Sequence, residues 1–466
     1  MNRRQFIGKT LTATAAVAAS ATLLEGCAEK KQQQASEEAA LGEIPTDQMT
    51  YRQGKHGESV SLLGYGCMRW PLLPNNGVQT EGPAKGSDVD QEAVNRLIDY
   101  AMAHGVNYYD ASPMYCKGLC EQVTGIALSR HPREKYLIAT KLSNFDPEYW
   151  PREKSIEMYE ASFRNLQTDV IDFYLLHSVG GSGMDNFMKR YVDNGMIEFL
   201  MEERRKGRIR NLGFSFHGDI NVWNWCMEQH ERIQWDFVQI QHNYADWTAA
   251  RRTEAKNVNS QYLYNELAQR DIPVVVMEPL LGGRLSKLNN HATEALKSLA
   301  PQRSIASWAF RFAATQPKIL TVLSGMTYME HLQDNLRSFA PFEPLSETEV
   351  ALLEKIGHEF ASFPTVPCTN CQYCMPCPYG IDIPGVFKHF NDCLNDGLIE
   401  DDPNANDYKK LRRKYLASYL ESVARERQAD HCIGCNQCVS RCPQHIQIPQ
   451  QMQRIDRFEQ QLRESL

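Results

Sequence analysis

The sequence predicts an α/β protein in which a (β/α)8 TIM barrel is followed by a small, mainly helical domain. Over residues 50–345, eight short apolar runs alternate with segments of helical periodicity. Eight of the 14 cysteines fall in two short runs near the C-terminus. The chain has 466 residues, 42% of them hydrophobic, which is long enough for one large domain and one small one.

The N-terminal segment, residues 1–27, resembles a twin-arginine export signal. "MNRRQFIGKTLTATAAVAASATLLEGCA" pairs Arg3 and Arg4 with a mildly apolar stretch that ends at Cys27, a candidate lipidation site. Glu25 departs from the small residue usual before such a cysteine, and an ordinary N-terminal helix is the alternative. Residues 28–49 form a polar linker. We therefore expect an exported protein, periplasmic or anchored to a membrane by lipidation.

The charge of the chain excludes one class of partner. Its formal net charge is -7. Binding to phosphate backbones requires a basic surface, so no nucleic acid partner is expected.

The barrel domain, residues 50–345, is predicted from the order of its strands. The apolar runs are "SLLGYGC", "NYYDAS", "YLIAT", "DFYLLHS", "RNLGFSF", "FVQIQHN", "VVVMEP" and "LTVLSG". Between the first two, Val94, Leu97, Ile98 and Ala101 fall at helical spacing. Eight βα units in about 300 residues match a TIM barrel. A doubly wound sheet is the alternative, but no G-x-G-x-x-G follows the first strand.

The two cysteine runs lie in the C-terminal domain, residues 346–466, and predict a ferredoxin-like iron-sulphur fold. "CIGCNQCVSRCP" has the C-x2-C-x2-C-x3-C-P spacing in which the fourth thiolate ligates the other cluster. "CTNCQYCMPCP" is one residue shorter before its last cysteine, which makes Cys377 the less secure ligand. The predicted [4Fe-4S] clusters take Cys368, Cys371, Cys374 and Cys442 in one case, and Cys432, Cys435, Cys438 and Cys377 in the other.

Two other chemistries are open to these cysteines. A disulfide-rich module suits an oxidising compartment, and structural zinc also uses thiolates, although usually in two separated C-x2-C pairs. The charged sequence between the runs is predicted to form one or two helices packed on the barrel.

Polar residues stand at the ends of consecutive predicted strands. Asp110 follows the second strand, Tyr115 comes five residues later, Lys141 ends the third strand and His177 ends the fourth. In order and in the Asp-x4-Tyr spacing, these residues resemble the aldo/keto reductases, as do "GFS", "VQIQHN", "MEPLLGG" and "SGMTYMEHLQDN" further along.

The resemblance implies a catalytic tetrad. Reduction of a carbonyl needs a proton donor, and a tyrosine with a pKa near 10 is a poor one unless a cation lowers that pKa. Lys141 would supply the cation, Asp110 would hold Lys141, and His177 would orient the carbonyl oxygen. The expected substrate is a small molecule with a carbonyl or alcohol group.

The resemblance also implies an NAD(P)H site. Ser215 and Gln239 would bind the carboxamide, and the segment from Gly325 to Asn335 would surround the adenosine. Phe216 stands where the family usually has Asn, with His217 as the nearest polar substitute. Thr327 and Tyr328 replace the basic residues that often bind the 2'-phosphate, so the choice between NAD and NADP stays open.

Three further cysteines, Cys67, Cys116 and Cys120, lie near the predicted mouth. They could form a redox or metal site there, and the alternatives are free thiols or a simple disulfide. The sequence as a whole predicts an exported oxidoreductase whose clusters exchange electrons with a partner. Export separates the enzyme from the cytosolic NAD(P)H pool, and no flavin motif is present to convert hydride into single electrons. The alternative is a binding or scaffold barrel with purely structural clusters.

Overall fold

The computed structural model describes residues 43–73, 88–253, 257–400, 402 and 404–464. The predicted signal, Cys27 and most of the polar linker lie outside the described residues. Within the described ranges, no helix combines the length and apolar character needed to cross a bilayer.

A closed barrel of eight parallel strands forms the larger part of the described chain. Each of the eight apolar runs predicted from the sequence contributes one strand. The ring closes by pairing of the last strand with the first. The barrel strands are β3 Leu63–Gly66, β4 Tyr108–Asp110, β5 Leu137–Leu142, β6 Ile171–Val179, β7 Ile209–Phe216, β8 Phe237–Gln241, β9 Val274–Met277 and β10 Ile319–Ser324.

An antiparallel hairpin, which the sequence analysis missed, precedes the barrel. Its strands are β1 Tyr51–Gln53 and β2 Ser59–Ser61. The guanidinium of Arg52 donates to the carbonyls of Ala314 and Gln316, which precede β10, and to that of Ile319, its first residue. The hairpin therefore covers the amino-terminal end of the barrel and leaves the opposite end for the site.

Helices surround the strands, and several of them begin at side-chain caps. Side chains of Asp90, Asp219, Asn289, Ser304 and Ser346 each accept a hydrogen bond from a backbone N–H in the first turn of a helix. The helices of this part are α1 Gln91–Ala103, α2 Cys120–Leu128, α3 Arg152–Leu166, α4 Gly183–Phe187, α5 Met196–Arg205, α6 Ile220–Glu228, α7 His230–Ile233, α8 Ala250–Thr253, α9 Ser260–Gln269, α10 Asn290–Leu299, α11 Ile305–Thr315, α12 Met329–Phe339 and α13 Glu347–Ser362.

Helix α13 packs on the barrel. A side chain at Gly357 would collide with the backbone of Tyr244, so only glycine permits this approach. The side chains of Thr248 and His358 lie 3.1 Å apart across the same contact. Barrel packing thus extends beyond residue 345, the boundary expected from the sequence.

The C-terminal domain has a core of its own. Its helices are α14 Ile383–Asn395, α15 Tyr408–Ser422 and α16 Ile448–Glu464. They bury Phe387, Tyr415 and Met452 among other apolar side chains, and six of the eight cysteines of the two runs pack against this core. The inserted helices α14 and α15 therefore pack mainly within this domain, not on the barrel as expected from the sequence. Their described contact with the barrel includes an ion pair from Lys287 to Asp396.

Candidate active site

The four residues of the predicted tetrad come together at the carboxyl end of the barrel. Asp110 ends β4, Lys141 lies in β5 and His177 in β6, while Tyr115 begins a short 3-10 turn after β4. Parallel strands bring their carboxyl ends to one mouth, which is where active sites of this fold lie.

Lys141 and Asp110 form a buried ion pair. Lys141 Nζ lies 2.5 Å from Asp110 Oδ1 and donates a second bond of 2.9 Å to the carbonyl of Ala111. Both side chains are at most 3% exposed. Burial raises the pKa of Asp110, and the charge of Lys141 opposes that rise. The pair places a fixed cation under the mouth.

Tyr115 lies over that cation. Lys141 Nζ is 5.1 Å from the centroid of the Tyr115 ring, and the His177 ring is 5.8 Å away in a T-shaped arrangement. Burial raises the pKa of Tyr115 well above its usual value, and Tyr373 and Asp110 raise it further. The lowering of this pKa by Lys141, expected from the sequence, stays a prediction; Lys141 Nζ lies at the ring face and is paired with Asp110. Tyr115 is a protonated donor at neutral pH.

His177 is oriented by a serine that the sequence analysis missed. Its Nδ1 lies 2.6 Å from Ser143 Oγ, and Ser112 Oγ is 2.9 Å from that same hydroxyl. Burial and then the charge of Lys141 lower the pKa of His177 well below its usual value, so the ring is neutral. Because Nδ1 is engaged by Ser143, Nε2 is the nitrogen that would meet a substrate oxygen. The only signal in the sequence was the position of Ser143 two residues after Lys141.

The two residues expected to bind a carboxamide lie on neighbouring strands. Ser215 on β7 pairs in register with Gln239 on β8. Ser215 Oγ accepts a bond from the N–H of Ser178, and both side chains are buried. In the described part of the chain, Gln239 Oε1 has no hydrogen-bond partner. A buried amide oxygen without a partner suits a ligand with an N–H donor, so this end of the site fits a carboxamide.

The residues expected around the adenosine are in contact with other side chains of the protein. Asn335 Nδ2 donates to Ser324 Oγ over 2.8 Å. Gly325 lies under the side chain of Arg69, whose Cδ would be 3.0 Å from a Cβ at that glycine. Arg69 donates to the carbonyl of Thr369, over 2.7 Å, in the first cysteine run. This end of the site is covered by the chain itself and does not fit a dinucleotide.

The first cysteine run surrounds a cavity. Cys368, Cys371, Cys374 and Cys442 line it together with apolar side chains from α14 and α16. The backbone N–H of Asn370 donates to the sulphur of Cys368, and that of Tyr373 donates to the sulphur of Cys371. Amides directed at thiolates stabilise iron-sulphur clusters. Among the described residues, no three His, Cys, Asp or Glu side chains lie close enough together to bind a single metal ion. The four thiols surround a cavity instead. The donor set fits a [4Fe-4S] cluster.

The second cysteine run forms the other group. Burial raises the pKa of Cys438 to about 11, and Cys432, Cys435 and Cys377 also raise it, so the four thiols lie near one another. Cys377, the ligand doubted for its short spacing, thus lies with the group assigned to it from the sequence. Cys435 is exposed, whereas the other seven cysteines of the two runs are partly buried.

The three cysteines of the mouth are buried free thiols. Cys120 Sγ donates to the carbonyl of Cys67 over 3.4 Å, and Cys116 Sγ donates to that of Met68 over 3.5 Å. Neither a metal-ligand arrangement nor a disulfide joins them among the described residues.

Two residues near Tyr115 were also missed from the sequence. Tyr373, between two cysteines of the first run, and Glu278, just after β9, both influence the pKa of Tyr115. Burial raises the pKa of Glu278. The first run therefore reaches the mouth of the barrel, which nothing in its spacing indicated.

The fold and the mouth residues define a barrel oxidoreductase, and the family comparisons agree. The profile of the aldo/keto reductase family matches residues 76–358, and the chain belongs to this family. The profile of a 4Fe-4S dicluster domain matches residues 367–447.

Similar proteins cover the barrel. The uncharacterized oxidoreductase YqkF of Bacillus subtilis is 25% identical over 324 residues, which are 65% of this chain and 95% of that protein. L-galactose dehydrogenase of Arabidopsis thaliana is 22% identical over 65% of this chain and 91% of its own length. The solved structure of aldo-keto reductase AKR11C1 from Bacillus halodurans, in its holo form, has a TM-score of 0.51 at 23% identity and covers 66% of this chain and 96% of that one. An aldo/keto reductase from Klebsiella pneumoniae in complex with NADP and acetate has a TM-score of 0.50 at 21% identity, over 66% and 95%.

Proposed function

We propose that the protein interconverts the alcohol and carbonyl forms of a small molecule, and that two [4Fe-4S] clusters exchange the electrons with a separate one-electron carrier. The observation that carries this proposal is the position of the first cysteine run, which packs on the barrel at Gly282 and Arg69 and brings Tyr373 close enough to Tyr115 to raise its pKa. Oxidation of an alcohol to a carbonyl releases two electrons and two protons. Clusters held by the two cysteine groups would take up the two electrons one at a time, and the protons would leave by way of Tyr115 to the solvent.

The residues of the mouth have separate roles in this proposal. Tyr115, protonated at neutral pH, exchanges a proton with the substrate oxygen. His177, neutral and held by Ser143, donates a hydrogen bond to that oxygen through Nε2. Lys141 stabilises negative charge that develops there, and Asp110 fixes its position. A [4Fe-4S] cluster bound by each cysteine group supplies one-electron redox chemistry when present.

The location of the protein is part of the proposal. Arg3 and Arg4 of the N-terminal segment support export of the folded, cluster-loaded chain, and Cys27 supports a lipid anchor. An exported enzyme does not meet the cytosolic nicotinamide pool, so a protein carrier outside the cytosol suits the clusters better.

The test is reduction of the clusters by substrate. Protein purified without oxygen is mixed with a panel of sugars, polyols, hydroxy acids and aldehydes, and the visible and paramagnetic-resonance signals of the clusters are recorded. We expect at least one alcohol to reduce the clusters in the wild-type protein.

Tyr115→Phe is the matched variant for this test, because it removes only the hydroxyl. We expect it to slow cluster reduction about 100- to 10,000-fold with unchanged iron content. Clusters that no compound reduces, together with turnover by NADH or NADPH alone, would support an ordinary nicotinamide reductase. A folded protein in which no compound reduces the clusters and neither nucleotide supports turnover would support the scaffold alternative.

A further inference from the structure

The loops after the seventh and eighth strands of a TIM barrel commonly bind phosphate groups, often with the N-terminus of a short helix. In this chain those strands are β9 and β10, and the loops begin at Glu278 and Gly325. A dinucleotide that reached Ser215 and Gln239 with its carboxamide would lay its phosphates across these loops.

The first cysteine run, residues 368–374, which we call the docked loop, covers the loop after β9, and Arg69, which is bonded to the docked loop, covers the loop after β10. At the loop after β9, a side chain at Gly282 would collide with the backbone of Thr369, so the two main chains are in direct contact. Gly282 has a φ of +66°, a conformation that glycine adopts without strain. Thr369 is 2% exposed. No space is left for a pyrophosphate between these two segments.

At the loop after β10, Arg69 joins the barrel to the docked loop. Its guanidinium donates to the carbonyls of Thr369 and Asn370, over 2.7 Å and 3.5 Å. Its aliphatic stem packs against Gly325, and its own carbonyl accepts a bond of 2.9 Å from Thr327 Oγ1. The cation that could bind a phosphate at this position is therefore bonded to backbone carbonyls.

We propose that the docked loop occupies the place of the dinucleotide phosphates, fastened there by Arg69, so that the cluster-loaded protein does not bind NAD(P)H. The carboxamide end of the site, at Gln239, stays available to a smaller ligand or to the substrate. The inference rests on the proposed function only for the choice of ligand, because its test measures binding and needs no turnover.

The experiment measures nucleotide binding to cluster-loaded protein. NADH and NADPH are titrated separately into the wild-type protein and its variants and followed by calorimetry, and bound nucleotide is measured after denaturation of the purified protein. Arg69→Ala removes the two bonds to the docked loop. Lys287→Ala is the matched control, because it removes an exposed contact between the barrel and the C-terminal domain, to Asp396, away from the covered loops.

We expect no bound nucleotide in the wild-type protein and no binding by it or by Lys287→Ala at millimolar nucleotide. We expect Arg69→Ala to bind at least about tenfold more tightly, which corresponds to about 1.4 kcal/mol. The visible absorbance of the clusters and the unfolding temperature of each variant establish that it is folded.

Three results would overturn the inference. One is micromolar binding of either nucleotide, one per chain, by the loaded wild-type protein. Another is weaker binding by Arg69→Ala than by the wild-type protein, which would make Arg69 a phosphate ligand. The third is the absence of nucleotide binding by both Arg69→Ala and Arg69→Lys when both variants are folded and cluster-loaded. Arg69 would then not fasten the docked loop.

Discussion

The two cysteine runs have similar sequences but lie in different surroundings. The first packs against the barrel, with Thr369 only 2% exposed and Tyr373 close to Tyr115. The second faces solvent, with Ile433 64% exposed and Cys435 at the surface. The difference indicates a direction for electrons. One cluster would meet the substrate site, and the other would meet a carrier.

The largest expected effects come from removing one ligand in each run. Cys371→Ser should abolish reduction of the clusters by substrate, because it breaks the group next to the mouth. Cys435→Ser should leave substrate able to reduce the first cluster but abolish turnover with an external one-electron acceptor. Paramagnetic resonance after mixing with substrate, and steady-state assays with the acceptor, measure the two steps separately. If both variants lost the same step, the two cysteine runs would not have the separate roles proposed for them.

Removal of the buried cation should weaken the barrel beneath the first run. Lys141→Met leaves Asp110 buried without its partner, and such a loss costs about 3–5 kcal/mol. Urea unfolding followed by tryptophan fluorescence measures this free energy. The control is Arg232→Met, which breaks an exposed ion pair with Glu198 and should change stability little. A stability loss no larger than that of the control would show that the pair at the mouth is solvated.

Acid should weaken the barrel through its buried histidines. Burial lowers the pKa of His242 to about 3 in the folded protein, against about 6.5 in the unfolded chain. Between these values the unfolded state binds more protons, so stability falls as the pH is lowered and His242 contributes a loss of about 2 kcal/mol between pH 7 and pH 5.

The matched variant for this effect is His242→Gln, which cannot titrate. Urea unfolding of the loaded protein at both pH values should show a smaller pH dependence in the variant, by about that amount. An identical dependence in both proteins would mean that His242 is reached by solvent, and that acid acts on the cluster domain instead.

The smallest expected effect concerns the exposed side of the second run. Ile433→Asp adds a charge to an apolar surface beside the second group of thiols. We expect a few-fold rise in the KM for a protein carrier, with unchanged reduction of the clusters by substrate. Rates with a small chemical acceptor provide the control, because such a molecule needs no docking surface. A loss with both acceptors would place the effect on the cluster itself.

Much of the fold could be predicted from the sequence, because buried parallel strands are short apolar runs with a regular spacing. The residues at the ends of those strands had to meet at one mouth, so Asp110, Lys141 and His177 followed from topology alone. The hairpin over the other end of the barrel did not follow, since its two strands of three residues carry little apolar pattern.

The contact between the docked loop and the barrel could not be predicted, for a different reason. Arg69 and Thr369 are 300 residues apart in the chain, and their contact depends on how two domains dock. Cysteine spacing indicates which thiols share a cluster, but not what the cluster faces. Tyr373 and Ser143 therefore acquire their roles only in the folded protein.

The most direct test of this account is to mix nucleotide-free, cluster-loaded protein with an alcohol substrate identified from the panel and to follow the clusters without oxygen. We expect the clusters to become reduced at a rate that does not change when NAD(P) is added, and Tyr115→Phe to slow the reduction about 100- to 10,000-fold. Clusters that stay oxidised until NAD(P) is supplied would contradict it.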